Sequence, residues 1–327
     1  MALVPAPSRE EARGREAVAV NVLLIGVGVI GTVYGAHLAA AGHTVWVLDH
    51  GPRTDDVRHS GLRARDVGTG AVTSTVAEVV GNAGVGTYDL IIVAVRREQL
   101  LAVARSLEQV CAAPCILFLG NNPHGRAGLP TDLPGPTSLG FPGIGGTMVE
   151  GVAEYLPIAQ QPTTIASDNY PALAEFADTM HSRGFAVSQT PAMEGWLAYH
   201  ATFVACVAAA LYRCGTDPRR LAAERPILDL MCRAITEGFA VQRAAGRTGL
   251  PKNLALLHHP LLRPVAVRYW ATQLRAPLGE LCFAAHARHA KPEMVALADD
   301  VLAVAGDRPH TEHLRRLLER RSGPTGV

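Results

Sequence analysis

The chain has 327 residues, room for roughly two domains at about 100–200 residues each, and 48% of them are apolar, enough for large buried cores. A formal net charge of +1 with 18% charged residues excludes a broad electrostatic nucleic-acid footprint and an acidic disordered chain. Six cysteines without a CxxC pair exclude a disulfide scaffold, and the CxxxC of Cys111 and Cys115 lacks the second half of a metal site.

Residues 1–19 carry Arg9, Glu10, Glu11, Arg13, Arg15 and Glu16 and no apolar stretch, so they read as a flexible extension and not as a secretory leader. The longest apolar run, 201–211, is too short to cross a bilayer. A reducing cytoplasm is the simplest compartment, with no membrane and no nucleic acid as partner.

Residues 20–25 form a continuous apolar run, the signature of a strand buried on both faces. Gly26, Val27, Gly28, Val29, Ile30 and Gly31 follow at once, then a helical stretch over 33–41 and a β-branched run over 44–48 that ends at Asp49. Residues 63–77 read as a polar antiparallel excursion, 88–95 as a buried strand, 98–110 as a helix and 115–119 as a strand closed by Gly120, Asn121, Asn122 and Pro123. The segment 129–146 is rich in glycine and proline and holds the run GFPGIGG, either a backbone approach to a ligand or a crossover turn. Short strands over 155–158 and 163–166, a helix over 171–182 and a strand over 184–189 complete this part.

The texture changes at Thr190 and Pro191. From there to residue 321 only helices are predicted: 192–213, 226–245, 265–274, 278–288, 292–305 and 311–321, punctuated by prolines. The expected architecture is therefore an α/β Rossmann-type domain over 20–190, an all-α domain over 191–321 for substrate binding and dimerisation, and a frayed tail over 322–327.

The glycine run matches GxGxxG, a weak signal alone. Here it follows a buried strand, opens a helix and precedes a second strand whose terminal acid stands 23 positions after Gly26. Gly26 permits the tight turn, Gly28 clears the approach of a pyrophosphate to the backbone, and Gly31 lets the helix lie close to the sheet. The first N–H groups of the helix then face the phosphates. Asp49 in contact with both ribose hydroxyls favours NAD; His50 and Arg53 lie just beyond, and Arg53 on a 2′-phosphate favours NADP. Arg53 as an ordinary loop cation remains the alternative.

Taken together, LLIGVGVIGTVYGAHLAAAGHTVWVL, GLRAR, YDLIIVAVRREQL, ILFLGNN and WLAYHA give the chain a pattern that resembles the ketopantoate reductase family from about residue 21 to 318. The resemblance implies a Rossmann domain followed by a helical domain of the 6-phosphogluconate dehydrogenase C-terminal type, an active site in the cleft between them, and NADP as cofactor, with NAD as the alternative. It puts Arg96 and Gln99 at the cofactor site and Asn121 in contact with both substrate and cofactor. It also exposes departures. Where the family carries a Lys two positions after the Trp that opens the helical domain, this chain has Ala198; the family's Asn four residues on is Thr202, and its substrate-binding Ser is Leu281. A late substrate-contacting Glu is matched by Glu293.

Ketopantoate does not suit such a cleft, because an unpaired carboxylate there costs several kcal/mol, roughly. The expected reaction is reduction of a less anionic small carbonyl or imine by NAD(P)H. A cofactor-binding protein without turnover, and a non-redox cyclase or isomerase in the same cleft, are the alternatives. Hydride transfer needs a proton donor in place of the Lys. His200, four residues after Trp196 on the same helix face, is the candidate, with Glu293 to orient it and Asn121 at the cofactor; a packing histidine and a helix-N-terminal acid are the competing readings. His286 and His289, three apart, are poor grounds for a metal, and none is expected. A homodimer is compatible with the alanine-rich helices.

Overall fold

A computed structural model describes residues 19–49, 51–110 and 115–319. Residues 1–18 of the extension expected over 1–19, the tail over 322–327, His50 and Cys111 lie outside the described residues. In chain order the elements are β1 (Asn21–Ile25), α1 (Val29–Ala40), β2 (Thr44–Leu48), α2 (Thr54–Ser60), β3 (Leu62–Asp66), β4 (Val72–Thr75), β5 (Glu78–Val80), β6 (Leu90–Val93), α3 (Leu100–Leu107), β7 (Ile116–Leu119), β8 (Thr137–Phe141), β9 (Ile144–Val149), β10 (Val152–Pro157), β11 (Thr163–Ala166), α4 (Pro171–Ser182) and β12 (Val187–Thr190). Helices α5 (Met193–Arg213), α6 (Pro218–Ala223), α7 (Arg225–Ala244), α8 (Lys252–Leu257), α9 (Arg263–Arg275), α10 (Ala285–His289), α11 (Lys291–Ala305) and α12 (Glu312–Leu318) follow, with a π-helical turn, Gly279–Ala284, before α10.

The main sheet runs β12-β11-β8-β7-β6-β1-β2-β5. The six strands from β8 to β5 are mutually parallel, and β11 pairs antiparallel with β8. Strands β1, β6 and β7 read as unbroken apolar runs because helices or loops cover both of their faces: every residue of β6 and β7 is buried. From β1 the chain moves outward to β2 and β5, then returns to β6 on the other side. That reversal opens a crevice at the carboxyl ends of β1 and β6, the place where open α/β sheets take ligands. The fold is the Rossmann type expected from the strand–glycine–helix–strand pattern.

A second sheet, β4-β3-β10-β9, was only partly anticipated. The polar excursion is the β3–β4 hairpin, and β10 joins it in parallel while pairing antiparallel with β9. Helix α1 is sandwiched between the two sheets, which explains why it is apolar all round. At Gly35 a Cβ would come within 2.8 Å of both Leu24 of β1 and Leu62 of β3, so only glycine lets the three layers close. Tyr34 ties the layers with a 2.6 Å hydrogen bond to Thr163 in β11.

The GFPGIGG run is the crossover from the main sheet to the second one. A Cβ on Gly143 would sit 2.3 Å from the Thr163 nitrogen and one on Gly146 would sit 2.1 Å from the Glu154 carbonyl oxygen. These glycines serve close packing, which resolves the two sequence readings of that run in favour of the turn. Strand β8 lies in the stretch read as irregular, and α2, α6 and α8 were not anticipated.

After β12 the described elements are all helical. Their core gathers Tyr199, Phe203, Cys206, Leu211, Met231, Ile235, Trp270, Leu297 and Leu314 around α5 and α7. By length and composition the 21-residue α5 passes as a membrane span, unlike the shorter run read from sequence, yet 83% of its most apolar window is buried inside the protein. It is the central helix of this core.

Candidate active site

The glycine turn shows a different reason for each glycine. Gly26 has φ +95°, and a Cβ there would lie 2.7 Å from Val95 and 2.8 Å from the Ala94 carbonyl oxygen. On Gly31 a Cβ would stand 2.0 Å from the Gly26 carbonyl oxygen. Both are needed by the fold itself. Gly28 is not: its φ of −70° suits any residue, and its Cβ position meets nothing within 4 Å. The space in front of Gly28 is open, and the start of α1 has no side-chain cap. An uncapped helix N-terminus behind a bare backbone is suited to an anion.

Beside the turn, the exposed Arg53 donates from Nε to the Val27 carbonyl oxygen at 3.0 Å, which brings its guanidinium against the turn. Asp49 is drawn into its own loop: its Oδ2 accepts from the Gly51 N–H at 3.1 Å and from the Thr54 hydroxyl at 3.2 Å. Val27, Val29 and Ile30 form the backbone of the turn and the first turn of α1.

The carboxyl ends of β6 and β7 supply the opposite wall. Arg96 follows β6, its side chain close enough to Glu293 and His286 to influence the ionisation of both. Gln99 bends back, its Oε1 accepting from the Arg96 N–H at 3.2 Å, so that carbonyl oxygen is engaged in the local turn. Asn121, after β7, donates from Nδ2 to Glu293 Oε1 at 3.0 Å. Its own Oδ1 is buried without a partner, an expensive state that a donor on a bound molecule would relieve. Glu293 stands in the first turn of α11 and is 7% exposed. Burial pushes its carboxyl above the usual carboxylate range, against the smaller lowering effect of the Asn121 hydrogen bond.

Two turns further along α11, Asp300 forms an ion pair with Arg97 and lies 3.1 Å from His124 Nε2. One helix face thus carries two acids, seven residues apart, onto the ends of two strands of the Rossmann sheet. Sequence reading missed Arg97, His124 and Asp300, since nothing in their spacing announces the contact.

His200 sits in an aromatic stack. It is 3% exposed and stacks on Trp196 with centroids 4.9 Å apart and planes 8° apart, and the Phe141 ring, tilted at 4.0 Å, touches both. Burial pushes its pKa down to about 3, helped by His286, so the ring is neutral near pH 7, and its Nδ1 has no partner. A neutral imidazole cannot hand over the proton of an imidazolium, which is the role the sequence suggested. Ala198 and Thr202 are also core positions. Thr202 donates to the Ala198 carbonyl oxygen at 2.9 Å and accepts from Gln242 of α7 at 3.0 Å. In this chain those two positions serve the packing of α5 against α7. Leu281 lies in the π-helical turn.

Residues 22–131 match the family model described as Ketopantoate reductase PanE/ApbA. Over that segment the chain is similar to the ketopantoate reductase family. The segment contains the glycine turn, Asp49, Arg53, Arg96, Gln99 and Asn121, so the family match covers the dinucleotide side of the site and stops before the helical wall. The whole described chain shares its fold with solved structures. A PanE/ApbA family ketopantoate reductase from Ralstonia eutropha JMP134 superposes with TM-score 0.70 at 19% identity, covering 91% of this chain and 97% of that one. A probable 2-dehydropantoate 2-reductase from Bacillus subtilis gives 0.62 at 15% identity, covering 91% and 99%. D-mandelate dehydrogenase, solved with NADH and anilino(oxo)acetate, gives 0.63 at 12% identity, covering 91% and 96%. At these identities the likeness establishes the fold. Among curated proteins none matches the sequence.

One group among the described residues has metal-ligand types in reach of one another, Glu237, Glu312 and His313. Glu237 is already spent there: its Oε2 accepts from the Leu314 N–H at 2.8 Å and its Oε1 faces His313 Nδ1 at 2.5 Å, which fastens α12 to α7.

Proposed function

We propose that the protein is an NADP(H)-dependent oxidoreductase that reduces a small carbonyl or imine compound other than ketopantoate. The observation that carries this reading is Gly28. Gly26 and Gly31 are explained by the chain's own packing, whereas Gly28 faces open space beside an uncapped helix start at the sheet's switch point. The residues present fit a dinucleotide: amide N–H groups at the start of α1 for the diphosphate, Arg53 for a 2′-phosphate, and Arg96 and Asn121 toward the nicotinamide end. Preference for NADP over NAD rests on Arg53 lying on the turn while the Asp49 Oδ2 is engaged in its own loop.

When bound, the reduced cofactor supplies a hydride. The chain's residues hold and orient: Asn121 fixes Glu293 and offers a free amide oxygen, and the salt bridge from Arg97 to Asp300 keeps α11 on the strand ends. Residues 20–190 bind the cofactor, and residues 191–321 complete the substrate site. Exposed Leu256, Leu261 and Val265, within ten residues of one another, support a homodimer through the helical part.

Parallel fluorescence titrations with NADPH and NADH, followed by a panel of ketones, 2-oxo acids and imines, test the reading. Tighter binding of NADPH and its oxidation with one panel member are expected. Failure of both coenzymes to bind overturns it; binding without oxidation by any member makes the chain a cofactor-binding protein without turnover.

A further inference from the structure

We propose that His286 and Glu293 form a proton-relay pair that supplies the substrate's proton in this cleft, with Glu293 as the donor and His286 as the group that restores its proton from solvent. The inference rests on the oxidoreductase reading above and assigns a role to a histidine that the sequence left without one.

The geometry is directional. Asn121 Nδ2 occupies Oε1 of Glu293, which leaves Oε2 as the oxygen able to carry and release a proton. His286 Nε2 faces that same Oε2 at 4.0 Å, a gap that a small ring rotation or a single bridging water closes. Glu293 has only 7% of its side chain exposed, while the His286 side chain keeps 42%. A buried acid that gives up a proton each turnover needs an exposed neighbour to recover it, and His286 is in that position. The π-helical turn Gly279–Ala284 immediately precedes α10 and sets the face that α10 presents; such wide turns recur at functional sites.

The surroundings suit a pair that shares one proton. Arg96, Arg97 and Glu98 act on Glu293; Arg96 and His289 act on His286, and His286 in turn acts on His200. Burial favours the neutral carboxylic acid on Glu293, and partial burial, Arg96 and His289 favour the neutral ring on His286. Arg96 then offsets the carboxylate that remains after donation.

In the reduction a hydrogen with its electron pair reaches the carbonyl carbon from the reduced dinucleotide, and the C=O π pair moves to oxygen. The new O–H bond forms as the Oε2–H bond of Glu293 breaks. As Nε2–H of the neutral His286 ring passes its proton to Oε2, Nδ1 takes one from water, so the ring changes tautomer without charging and hydroxide is left in solvent. The substrate gains two electrons and two hydrogens, and the dinucleotide is oxidised by the same two electrons.

The test has two arms on the full-length protein. In the first, the His286 ring is titrated by NMR in the wild type and in Glu293→Gln. A coupled pair predicts that removing the ionisable carboxyl moves the His286 midpoint. An unchanged midpoint overturns the pair whatever the enzyme's substrate. In the second, His286→Gln is assayed with NADPH and the panel substrate. We expect turnover to fall by about 10²-fold, the alkaline limb of the pH–rate profile to move, NADPH affinity to stay, and added imidazole to restore part of the rate. Unchanged turnover, or a loss that imidazole does not relieve and that leaves the pH profile in place, overturns the relay. Absence of NADPH binding in the wild type instead refutes the oxidoreductase reading, so the two failures are distinguishable.

Discussion

Gly28 and Gly31 stand three residues apart and differ in what a methyl group would do. At Gly31 the new carbon overlaps the Gly26 carbonyl oxygen at 2.0 Å, so Gly31→Ala is expected to cost about 1–3 kcal/mol in urea unfolding. At Gly28 it meets nothing, so Gly28→Val is expected to leave the unfolding midpoint in place and weaken NADPH binding by about tenfold or more, read by fluorescence titration. A destabilised Gly28→Val would mean that this glycine is structural like its neighbours. Arg53 makes a second contrast. Its bond to the Val27 carbonyl oxygen puts a cation at the turn, so Arg53→Ala is expected to weaken NADPH by about tenfold and to leave NADH unchanged. Equal loss for both coenzymes would remove the 2′-phosphate assignment.

At the scale of elements, α11 joins the helical part to the Rossmann sheet, through Glu293 to Asn121 and through Asp300 to Arg97 and His124. Both partners of Asp300 are partly exposed, so Asp300→Asn is expected to lower stability by only about 1 kcal/mol, a shift of about 2–4 °C in Tm, while protection of α11 amides in hydrogen exchange falls more than that of α5. Uniform loss of protection would contradict a local clasp. The strand–glycine–helix–strand unit was legible in the sequence because its signals are local: an apolar run, fixed glycine spacings, a terminal acid. Of the second sheet only the polar β3–β4 hairpin was legible, because its partner β10 comes some ninety residues later. Strand β8 was masked by the glycines and prolines around it. At the site, Asn121 and Glu293 were named from family resemblance and the structure joins them, but the sequence could not show that His200 faces an aromatic stack while His286 faces Glu293. That difference is set by which side of α5 meets Phe141 and by the π-helical turn before α10, neither of which has a residue signature.

Across the whole molecule, three layers close around α1, and buried neutral histidines hold them. The His43 Nδ1 accepts the Val20 N–H at 3.1 Å while its Nε2 meets the Thr179 hydroxyl at 2.7 Å, and the His37 Nδ1 accepts from Arg183 Nε at 3.3 Å. Protonation at Nδ1 would forfeit these bonds. Burial pushes His37 down to about 4 and His258, in the helical core, also to about 4, and lowers His43, against the ordinary 6.5. The unfolded chain therefore binds more protons below pH 6.5, and the stability these rings contribute is complete above that value and lost as pH falls toward about 4. Each fully shifted ring contributes a slope of up to about 1.4 kcal/mol per pH unit in that window. Urea midpoints measured from pH 7 to pH 4.5 are expected to fall, and the fall is expected to be shallower in His37→Gln; identical slopes would show that His37 is not titrating on unfolding.

Crystals grown with NADPH would locate the coenzyme directly. The diphosphate is expected against the amide nitrogens at Gly28, Val29 and Ile30, with the 2′-phosphate on Arg53 and the nicotinamide carboxamide or a substrate donor at the free Oδ1 of Asn121. Electron density for the coenzyme elsewhere on the molecule, or a glycine turn closed over by the protein's own side chains at saturating NADPH, would contradict the cofactor assignment and the reaction proposed from it.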